Sequence, residues 1–425
     1  MKIVRITLLS AVTLILSASC SKMDDIKSDE GTVRNVRELG SPVTNPTHSE
    51  WCKPETAEKT LSSVRHIADN FYKMNFLTDL HLKELEEGNY LTYFDFEQAF
   101  SNYMFKPEGT EPIEDPAGTA CSGFICRNEN GEILLGRNFD GMEGPLMLIY
   151  NTVNGYNYVQ FTDPFYNSKL YKGETLMQGD GVLSDGKTSL HRLLREPLST
   201  MDGMNEYGLC FGAFQLPALN DTMPRAIKQD APGKCVISAS LMHNLILSRC
   251  KTVKEVEDFF AEHNYMSLNR KLNVHWLMAD ANGDWALFEF WEDKLYVYRE
   301  KDLFQIAARY GGQIPYEWFS IENYYRNPIP YSQYPNVNSL DLGNWQLQMS
   351  SKMRVTHMMN GYKPVMTEME ALQCLQGGAF GIEILNELTD WSCVYNPKQK
   401  TVLFALRNDM SKIYKVNLNT DFDKY

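Results

Sequence analysis

Three absences narrow what this chain can be. Lys and Arg number 41 against 54 Asp and Glu, so the formal net charge is −13 and no basic stripe is available for nucleic acid. The nine cysteines include no CxxC pair and match no zinc spacing, so we expect neither a metal nor a cofactor. After residue 20, no apolar run reaches the ~18 residues that a membrane-spanning helix needs.

The N-terminus has the pattern of an export signal peptide. Lys2 and Arg5 precede the apolar run 6–16, and small residues lead from there to Cys20. A cysteine directly after such a site resembles a bacterial lipoprotein signal, although the leucine lies one position further from it than usual. We therefore expect a membrane anchor through lipidated Cys20 and a location at the outer membrane or cell surface, the periplasmic side being an alternative. An ordinary secretory signal with a chance cysteine is the other interpretation.

Composition divides the rest of the chain into three parts. Residues 21–53 are polar and predict a linker. Residues 54–120 predict a small helical segment, because helical periodicity runs from Pro54 to Phe76 and two short helices follow. This segment ends in a loop rich in Pro, Gly and acidic residues, the kind of exposed loop where chains are cut. Residues 121–425 combine strands and helices in mixed order, which predicts an α+β fold with layered sheets.

The stretch from Cys121 to Gly141 carries the candidate chemistry. An Asn-Gly turn at 128–131 joins two strand-like runs, which is a strong hairpin signal. The hairpin brings Arg137 and Asp140 back toward Cys121, so a thiol, a guanidinium and a carboxylate share one end of a sheet. A thiol of ordinary pKa needs a base before it attacks an amide.

Two sources of that base are open. Any of the eight histidines could approach in space, but His275 lies in a strand and fits a core histidine better. The alternative is the α-amine that Cys121 would carry if the bond from Ala120 were cut. Such an amine has an ordinary pKa of about 7.7–8.0 and sits on the same Cα as the thiol-bearing side chain.

Two motifs resemble one enzyme family. CSGF, eleven residues and GRNFDG open at Cys121, and DGMNExGL occupies residues 202–209. Both resemble the choloylglycine hydrolase group of N-terminal-nucleophile (Ntn) amidases, which includes bile salt hydrolases, penicillin V acylases and the acid ceramidase and N-acylethanolamine amidase branch. The resemblance spans about 121–310 and parts of 345–410. It implies a four-layer α/β/β/α Ntn-hydrolase sandwich preceded by a small helical propeptide.

The resemblance also implies roles for individual residues. Cys121 would be the nucleophile and, through its α-amine, the base; Arg137 would favour the thiolate, and Asp140 would orient the amine. Cleavage between Ala120 and Cys121 would make the chain a zymogen that activates itself. Further oxyanion or substrate residues implied by position are Asn205, Gln215, Arg309 and Arg354, with Lys352 as the alternative to the last.

The implied reaction is hydrolysis of a linear, non-peptide C–N amide bond in a small N-acyl substrate, through a thioester. Conjugated bile acids and N-acyl amines are the candidate substrates, and acyl transfer or penicillin acylase activity on the same site is an alternative. A lipid-anchored binding protein on an inactive Ntn fold is the rival from another class, and a Cys–His peptidase is a third option. The oligomeric state stays open, with a homo-oligomer among the options.

Overall fold

The computed structural model describes most of the chain from residue 33 onward. The described residues are 33–43, 52–68, 70–105, 120–141, 145–164, 190–216, 227–267, 273–291, 293–302, 319–322, 361, 363–377, 388–407 and 409–422. Apart from Val33, they belong to one compact unit, Arg34–Tyr425. No helix among them is both long and apolar enough to cross a membrane.

The strands, numbered in chain order, are β1 Val33–Asn35, β2 Ser41–Pro42, β3 Arg65–Ala68, β4 Phe71–Phe76, β5 Ala120–Arg127, β6 Ile133–Gly141, β7 Leu146–Asn151, β8 Tyr158–Thr162, β9 Thr200–Asn205, β10 Cys210–Leu216, β11 Val236–Ser238, β12 Asn264–Met266, β13 Asn273–Ala279, β14 Trp285–Trp291, β15 Lys294–Tyr298, β16 Phe319–Glu322, β17 Leu388–Asn396, β18 Thr401–Leu406 and β19 Ile413–Asn417. The α-helices are α1 Ala57–Ser62, α2 Leu82–Glu87, α3 Tyr93–Met104, α4 Ala239–Arg249, α5 Val253–Glu262, α6 Glu368–Gly377 and α7 Leu418–Asp421. Two 3₁₀ segments cover Val36–Glu38 and Leu190–Ser199.

Two large sheets form the centre of the described structure. One has the strand order β1-β19-β18-β17-β6-β5-β16, and the other β15-β14-β13-β10-β9-β8-β7-β4-β3-β2. One apolar cluster, which includes Phe139 and Phe214, fills the space between the sheets. A second cluster lies between the ten-stranded sheet and its covering helices, and α6 packs on β6, β17 and β18 of the other sheet. The layers are therefore α/β/β/α, and the predicted fold class is confirmed.

Local chemistry explains the hairpin that begins at Cys121. The side chain of Asn128 accepts hydrogen bonds from the backbone N–H groups of Asn130 (3.0 Å) and Glu132 (2.9 Å). Gly131 has φ +75°, the left-handed conformation that glycine adopts without steric cost. The turn fixes the antiparallel register of β5 and β6, in which Cys121 lies opposite Phe139.

The N-terminal part differs most from its prediction. The predicted helix over 54–76 exists only as α1, and β3 and β4 follow it. Strand β4 lies between β3 and β7 and is buried almost throughout. Its apolar residues therefore do not alternate with polar ones, and their spacing is also compatible with a helix. The predicted linker also contains structure, because residues 33–43 supply β1 to one sheet and β2 to the other. The segment predicted as helical is thus mixed, and it completes the edges of both sheets.

Smaller differences concern element ends. Helix α4 begins at Ala239, because residues 236–238 form β11 beside β12. Residues 319–322, within a stretch with few periodic signals, form β16 and pair with β5. From residue 121 onward the strands and helices follow one another in mixed order, as the sequence predicts.

We expect the N-terminal segment to contribute to the free energy of unfolding as core does. Phe71 on β4 is fully buried and makes edge contacts with Phe404 (5.5 Å) and Tyr414 (5.1 Å) between the sheets. Phe71→Ala should lower the free energy of unfolding by about 3–5 kcal/mol, measured by denaturant unfolding. Leu91→Ala is the control, since Leu91 is 69% exposed and should cost less than about 0.5 kcal/mol. Equal effects of the two substitutions would contradict this packing.

Candidate active site

Cys121 is buried at the start of β5, next to a fully buried guanidinium. Its side chain is 1% exposed and belongs to the cluster between the sheets. Arg137 on β6 is 0% exposed, and its Nη2 lies 3.5 Å from the Cys121 Sγ. Alternation along the two paired strands puts both side chains on the face toward the ten-stranded sheet. The predicted pairing of thiol and guanidinium is therefore present.

A buried carboxylate holds Arg137. Its Nε lies 2.5 Å from Asp202 Oδ1, and its Nη1 donates to Asp202 Oδ2 at 3.1 Å. The Nη2 also donates to the carbonyl of Ala213 at 2.6 Å. Gly212 makes room for this arrangement, because a Cβ there would lie 2.9 Å from Arg137 Cδ. The Asp202 carboxylate raises the pKa of Arg137 against the opposing effect of burial, so the guanidinium stays charged.

Aromatic rings enclose the guanidinium. The Arg137 Cζ lies 5.0 Å from the ring centroid of Phe139 and 5.4 Å from that of Phe214. Trp391 stacks on Phe139 at 4.1 Å, and its Nε1 donates to Asp202 Oδ2 at 2.7 Å. The ion pair is therefore isolated from water and held by a fixed donor, conditions that strengthen electrostatic interactions.

The thiol is a weak acid in the intact chain. Burial raises the pKa of Cys121 to about 11, and the nearby carboxylates of Asp140 and Asp202 add to that rise. Arg137 and a hydrogen bond from the backbone N–H of Gln215 act in the opposite direction. At neutral pH the thiol is therefore protonated and needs a base before it can attack.

Asp140 lies beside the bond that precedes Cys121. It pairs across the sheet with Ala120 on one side and Thr389 on the other. Its Oδ1 accepts a hydrogen bond from the Thr389 hydroxyl at 2.5 Å. Alternation puts its side chain on the opposite face of the sheet from the thiol. Asp140 is thus placed to meet the backbone at Ala120 and Cys121 rather than the sulfur.

The structure places the side chains of two predicted oxyanion or substrate residues, Gln215 and Asn205, away from the thiol. Gln215 contributes its backbone N–H to the thiol. Its neighbours Ala213 and Phe214 pack on opposite faces of β10, so alternation puts the Gln215 side chain on the helix side, away from Cys121. The amide of Asn205 donates to the carbonyls of Leu247 (3.0 Å) and Cys250 (2.7 Å) at the end of α4, so it ties that helix to the sheet.

The other predicted positions divide into described and undescribed ones. Cys20, Arg309, Lys352 and Arg354 lie outside the described residues. His275 is fully buried, with Nδ1 3.1 Å from Glu289 Oε2, as expected of a satisfied core histidine. Among the described residues, no group of three or more His, Cys, Asp or Glu side chains could hold a metal ion.

Sequence reasoning missed Asp202, Thr389 and Gly212. Asp202 opens the DGMNExGL motif, and that position was the available signal. Thr389 and Gly212 have no local pattern that marks them, since their roles depend on side chains that arrive from other strands.

We expect the Thr389 hydroxyl to stabilise the Asp140 carboxylate. Thr389→Val keeps the shape of the side chain but removes the donor, so a buried carboxylate loses a charge-assisted hydrogen bond. The substitution should lower the free energy of unfolding by about 1–3 kcal/mol, measured by denaturant unfolding. Thr389→Ser retains the hydroxyl and should recover most of that loss; a serine variant as unstable as the valine variant would show that only the methyl group matters.

Comparison with known proteins identifies the reaction class. Residues 121–310 match the family model of the linear amide C-N hydrolases, choloylglycine hydrolase family. No curated protein sequence matches the chain. Similar solved structures include a conjugated bile acid hydrolase variant from Clostridium perfringens (16% identity over 70% of this chain and 92% of that one, TM-score 0.42). A penicillin V acylase from Agrobacterium tumefaciens (14%, 71% and 87%, 0.42) and an N-acylethanolamine-hydrolyzing acid amidase orthologue from Caenorhabditis elegans (12%, 70% and 100%, 0.36) are also similar.

These structural likenesses are distant, and the match to the family model is the informative one. It begins at Cys121 and covers the hairpin, Arg137, Asp140 and Asp202. The predicted resemblance is therefore confirmed, and the four layers found in the structure agree with the α/β/β/α sandwich that the resemblance implies. The match to the linear amide C–N hydrolases of the choloylglycine hydrolase family spans residues 121–310, and it identifies the reaction class as hydrolysis of carbon–nitrogen bonds in linear amides.

Proposed function

We propose that this chain is an N-terminal-cysteine amidohydrolase that releases its own nucleophile and then cleaves small N-acyl amides through a thioester. The observation that carries the proposal is the position of the buried Cys121 thiol. Its sulfur lies 3.5 Å from the Arg137 guanidinium, and the peptide bond from Ala120 to Cys121 lies beside Asp140. The thiol supplies a nucleophile, the guanidinium a charge that favours its ionised form, and the carboxylate a partner for a new amine.

Self-cleavage is a chemically balanced sequence. The Cys121 sulfur attacks the carbonyl carbon of Ala120 to give a tetrahedral adduct; the C–N bond then breaks, and the departing nitrogen takes the thiol proton and becomes the α-amine of Cys121. The product is a thioester between the Ala120 acyl group and Cys121. Water then hydrolyses the thioester, which leaves a carboxylate on Ala120 and restores the thiol.

Cleavage of the bond between Ala120 and Cys121 would supply the base that the buried, protonated thiol needs. With a pKa of about 11, only about one thiol in 10⁴ is ionised at pH 7. The released amine has an ordinary pKa of about 7.7–8.0 and is attached to the same Cα as the thiol-bearing side chain, so it can accept the thiol proton during attack. The same proton then passes to the leaving amine of the substrate. Water then attacks the thioester carbonyl, the α-amine takes a proton from that water and passes it to the departing sulfur, and the carboxylic acid product leaves.

A backbone donor supports stabilisation of the tetrahedral intermediate. The N–H of Gln215 points at the Cys121 sulfur, so the oxyanion formed on an attacked carbonyl would lie within reach of it. Strand β9 pairs with β10 only from Cys210 to Gly212, and beyond that point the carbonyl of Ala213 accepts from Arg137. The last residues of β10 therefore offer backbone groups to the site.

The substrate class follows from the family and remains a proposal. The three similar structures bear names that refer to conjugated bile acids, penicillin V and N-acylethanolamines. We take conjugated bile acids and N-acyl amines as the first candidates and penicillin V as the third. Acyl transfer to an amine is the alternative outcome at the thioester, and products identified by mass spectrometry distinguish it from hydrolysis.

Two rival functions make different predictions. A lipid-anchored binding protein on an inactive fold would not react with a thiol-directed acyl probe at Cys121. A Cys–His peptidase would be active without cleavage at residue 121, but His275 is fully buried beside Glu289, which supports a structural role.

We expect Cys121→Ala to abolish both self-cleavage and amide hydrolysis. N-terminal sequencing and intact mass should find a new N-terminus at Cys121 in the wild type only, and mass spectrometry should detect products from the substrate panel in the wild type only. Cys126→Ala is the matched control, because Cys126 is also buried on β5 but faces the helix layer. Full hydrolysis by a chain whose 120–121 bond is intact would overturn the proposal.

The anchor and the N-terminal segment can be tested together. If Cys20 is lipidated and the chain is cut at 120, the two pieces stay associated through noncovalent contacts, which include the sheets that they share and the ion pairs of Glu86 with Arg249 and His263. We expect both pieces in the membrane fraction, release of the catalytic piece alone by urea, and release of both pieces by Cys20→Ala without urea. A catalytic piece that leaves the membrane in plain buffer would contradict the shared sheets; membrane retention of the Cys20→Ala variant would contradict the anchor.

A further inference from the structure

Asp202 is a buried carboxylate to which the proposed reaction assigns no step. It lies on β9, is 0% exposed, and pairs in the sheet with Gly212 and Phe161. Its Oδ1 lies 2.5 Å from Arg137 Nε in an ion pair, and its Oδ2 accepts hydrogen bonds from Arg137 Nη1 at 3.1 Å and from the indole N–H of Trp391 at 2.7 Å. Burying a carboxylate costs free energy of folding even when the carboxylate is paired, so packing alone does not explain Asp202.

The geometry divides the guanidinium into two sides. The Nε and Nη1 of Arg137 face Asp202, and Nη2 faces the Cys121 sulfur at 3.5 Å and the Ala213 carbonyl at 2.6 Å. A guanidinium is rigid and planar, so fixing one edge fixes the direction of the other. Asp202 therefore determines where Nη2 points, although Arg137 lies between Asp202 and the thiol.

The charges around the thiol are also set by Asp202. Arg137 lowers the pKa of Cys121, while the carboxylates of Asp140 and Asp202 raise it. Among the described residues, Cys210, Cys393 and Tyr395 also interact electrostatically with the Arg137–Asp202 pair; burial raises the pKa of each, so they stay neutral. Asp202 thus provides the charge that offsets Arg137 inside the cluster.

We infer that Asp202 is a positioning residue of this active site, which aims the Arg137 guanidinium at Cys121 and limits how strongly its charge promotes the thiolate. The inference rests on the proposed function, since it takes Cys121 as the nucleophile. Its consequence is that the thiol stays protonated until a base removes the proton during attack, rather than resting as a thiolate.

The test separates charge from packing. Asp202→Asn keeps the shape and removes the charge, so the thiol should ionise at lower pH. The readout is the rate of iodoacetamide alkylation of Cys121 as a function of pH, followed on the Cys121 peptide by mass spectrometry. We expect the midpoint to fall by about one unit or more, which is a tenfold or greater rise in the thiolate fraction at a given pH below the midpoint. The midpoint is compared rather than the absolute rate, because burial slows the reagent in every variant.

A matched control removes a contact from the same cluster without changing charge. Trp391→Phe retains a ring above Phe139 but loses the donor to Asp202, so the alkylation midpoint should stay within about 0.3 unit of the wild type. A shift in Trp391→Phe as large as that in Asp202→Asn would mean that loosened packing is the cause, and it would overturn the inference. An unchanged midpoint in folded Asp202→Asn would also overturn it.

Asp202→Glu tests the aim of the guanidinium and covers the case in which Asp202→Asn does not fold. It keeps the charge and lengthens the stem, so we expect kcat to fall tenfold or more with little change in KM, while the alkylation midpoint stays near the wild-type value. Wild-type kcat in Asp202→Glu would overturn the positioning role. Failure of the proposed function is a separate result: hydrolysis that survives Cys121→Ala would remove Cys121 as nucleophile, whatever Asp202 does to the thiol.

Discussion

The site is built around one fully buried positive charge. Arg137 lies between two sheets with 0% exposure, and a charge in that position is tolerated only if it is paired and hydrogen-bonded. Asp202 supplies the opposite charge, Trp391 holds Asp202, and the Ala213 carbonyl accepts the remaining edge. These partners come from three strands of two sheets, so the site exists only where the sheets are stacked in one register.

The same constraint explains residues that look unremarkable in the sequence. Gly212 lies where the Arg137 side chain passes β10, and a larger residue would displace the guanidinium. Phe139 serves twice, as the partner of Cys121 in the strand ladder and as an aromatic wall beside Arg137. Packing and chemistry therefore use the same residues, and substitutions in this core are expected to affect both.

Local patterns in the sequence were sufficient to predict the hairpin and the positions of Cys121, Arg137 and Asp140 on it. The Asn-Gly turn, the spacing from Cys121 to Arg137 and the following Asp140 are all contained in 21 consecutive residues. The fold class followed from the same motifs and the mixed order of strands and helices. The motif around Asn205 does not show where its side chain points, and the structure places the amide at the end of α4.

Contacts between distant segments could not be predicted in this way. The partners of Asp140 and Asp202 lie 249 and 189 residues further along the chain, and no local spacing links them. The direction of the Gln215 side chain depends on which face of β10 meets the second sheet. Strand β4 imitated a helix because a strand buried on both faces lacks the alternation that identifies a half-exposed one.

The location of Ala120 within β5 has a consequence for the order of events in the cell. The bond to be cut is part of a hydrogen-bonded ladder, and Asp202 and the Gln215 N–H, which contact Arg137 and the thiol, reach the site from the other sheet. Under the proposed processing, a chain that has not folded cannot activate itself, and no separate protease is needed to cut the bond. Cleavage at this bond would then occur only in correctly folded molecules, so every molecule able to act on a substrate would already have assembled both sheets.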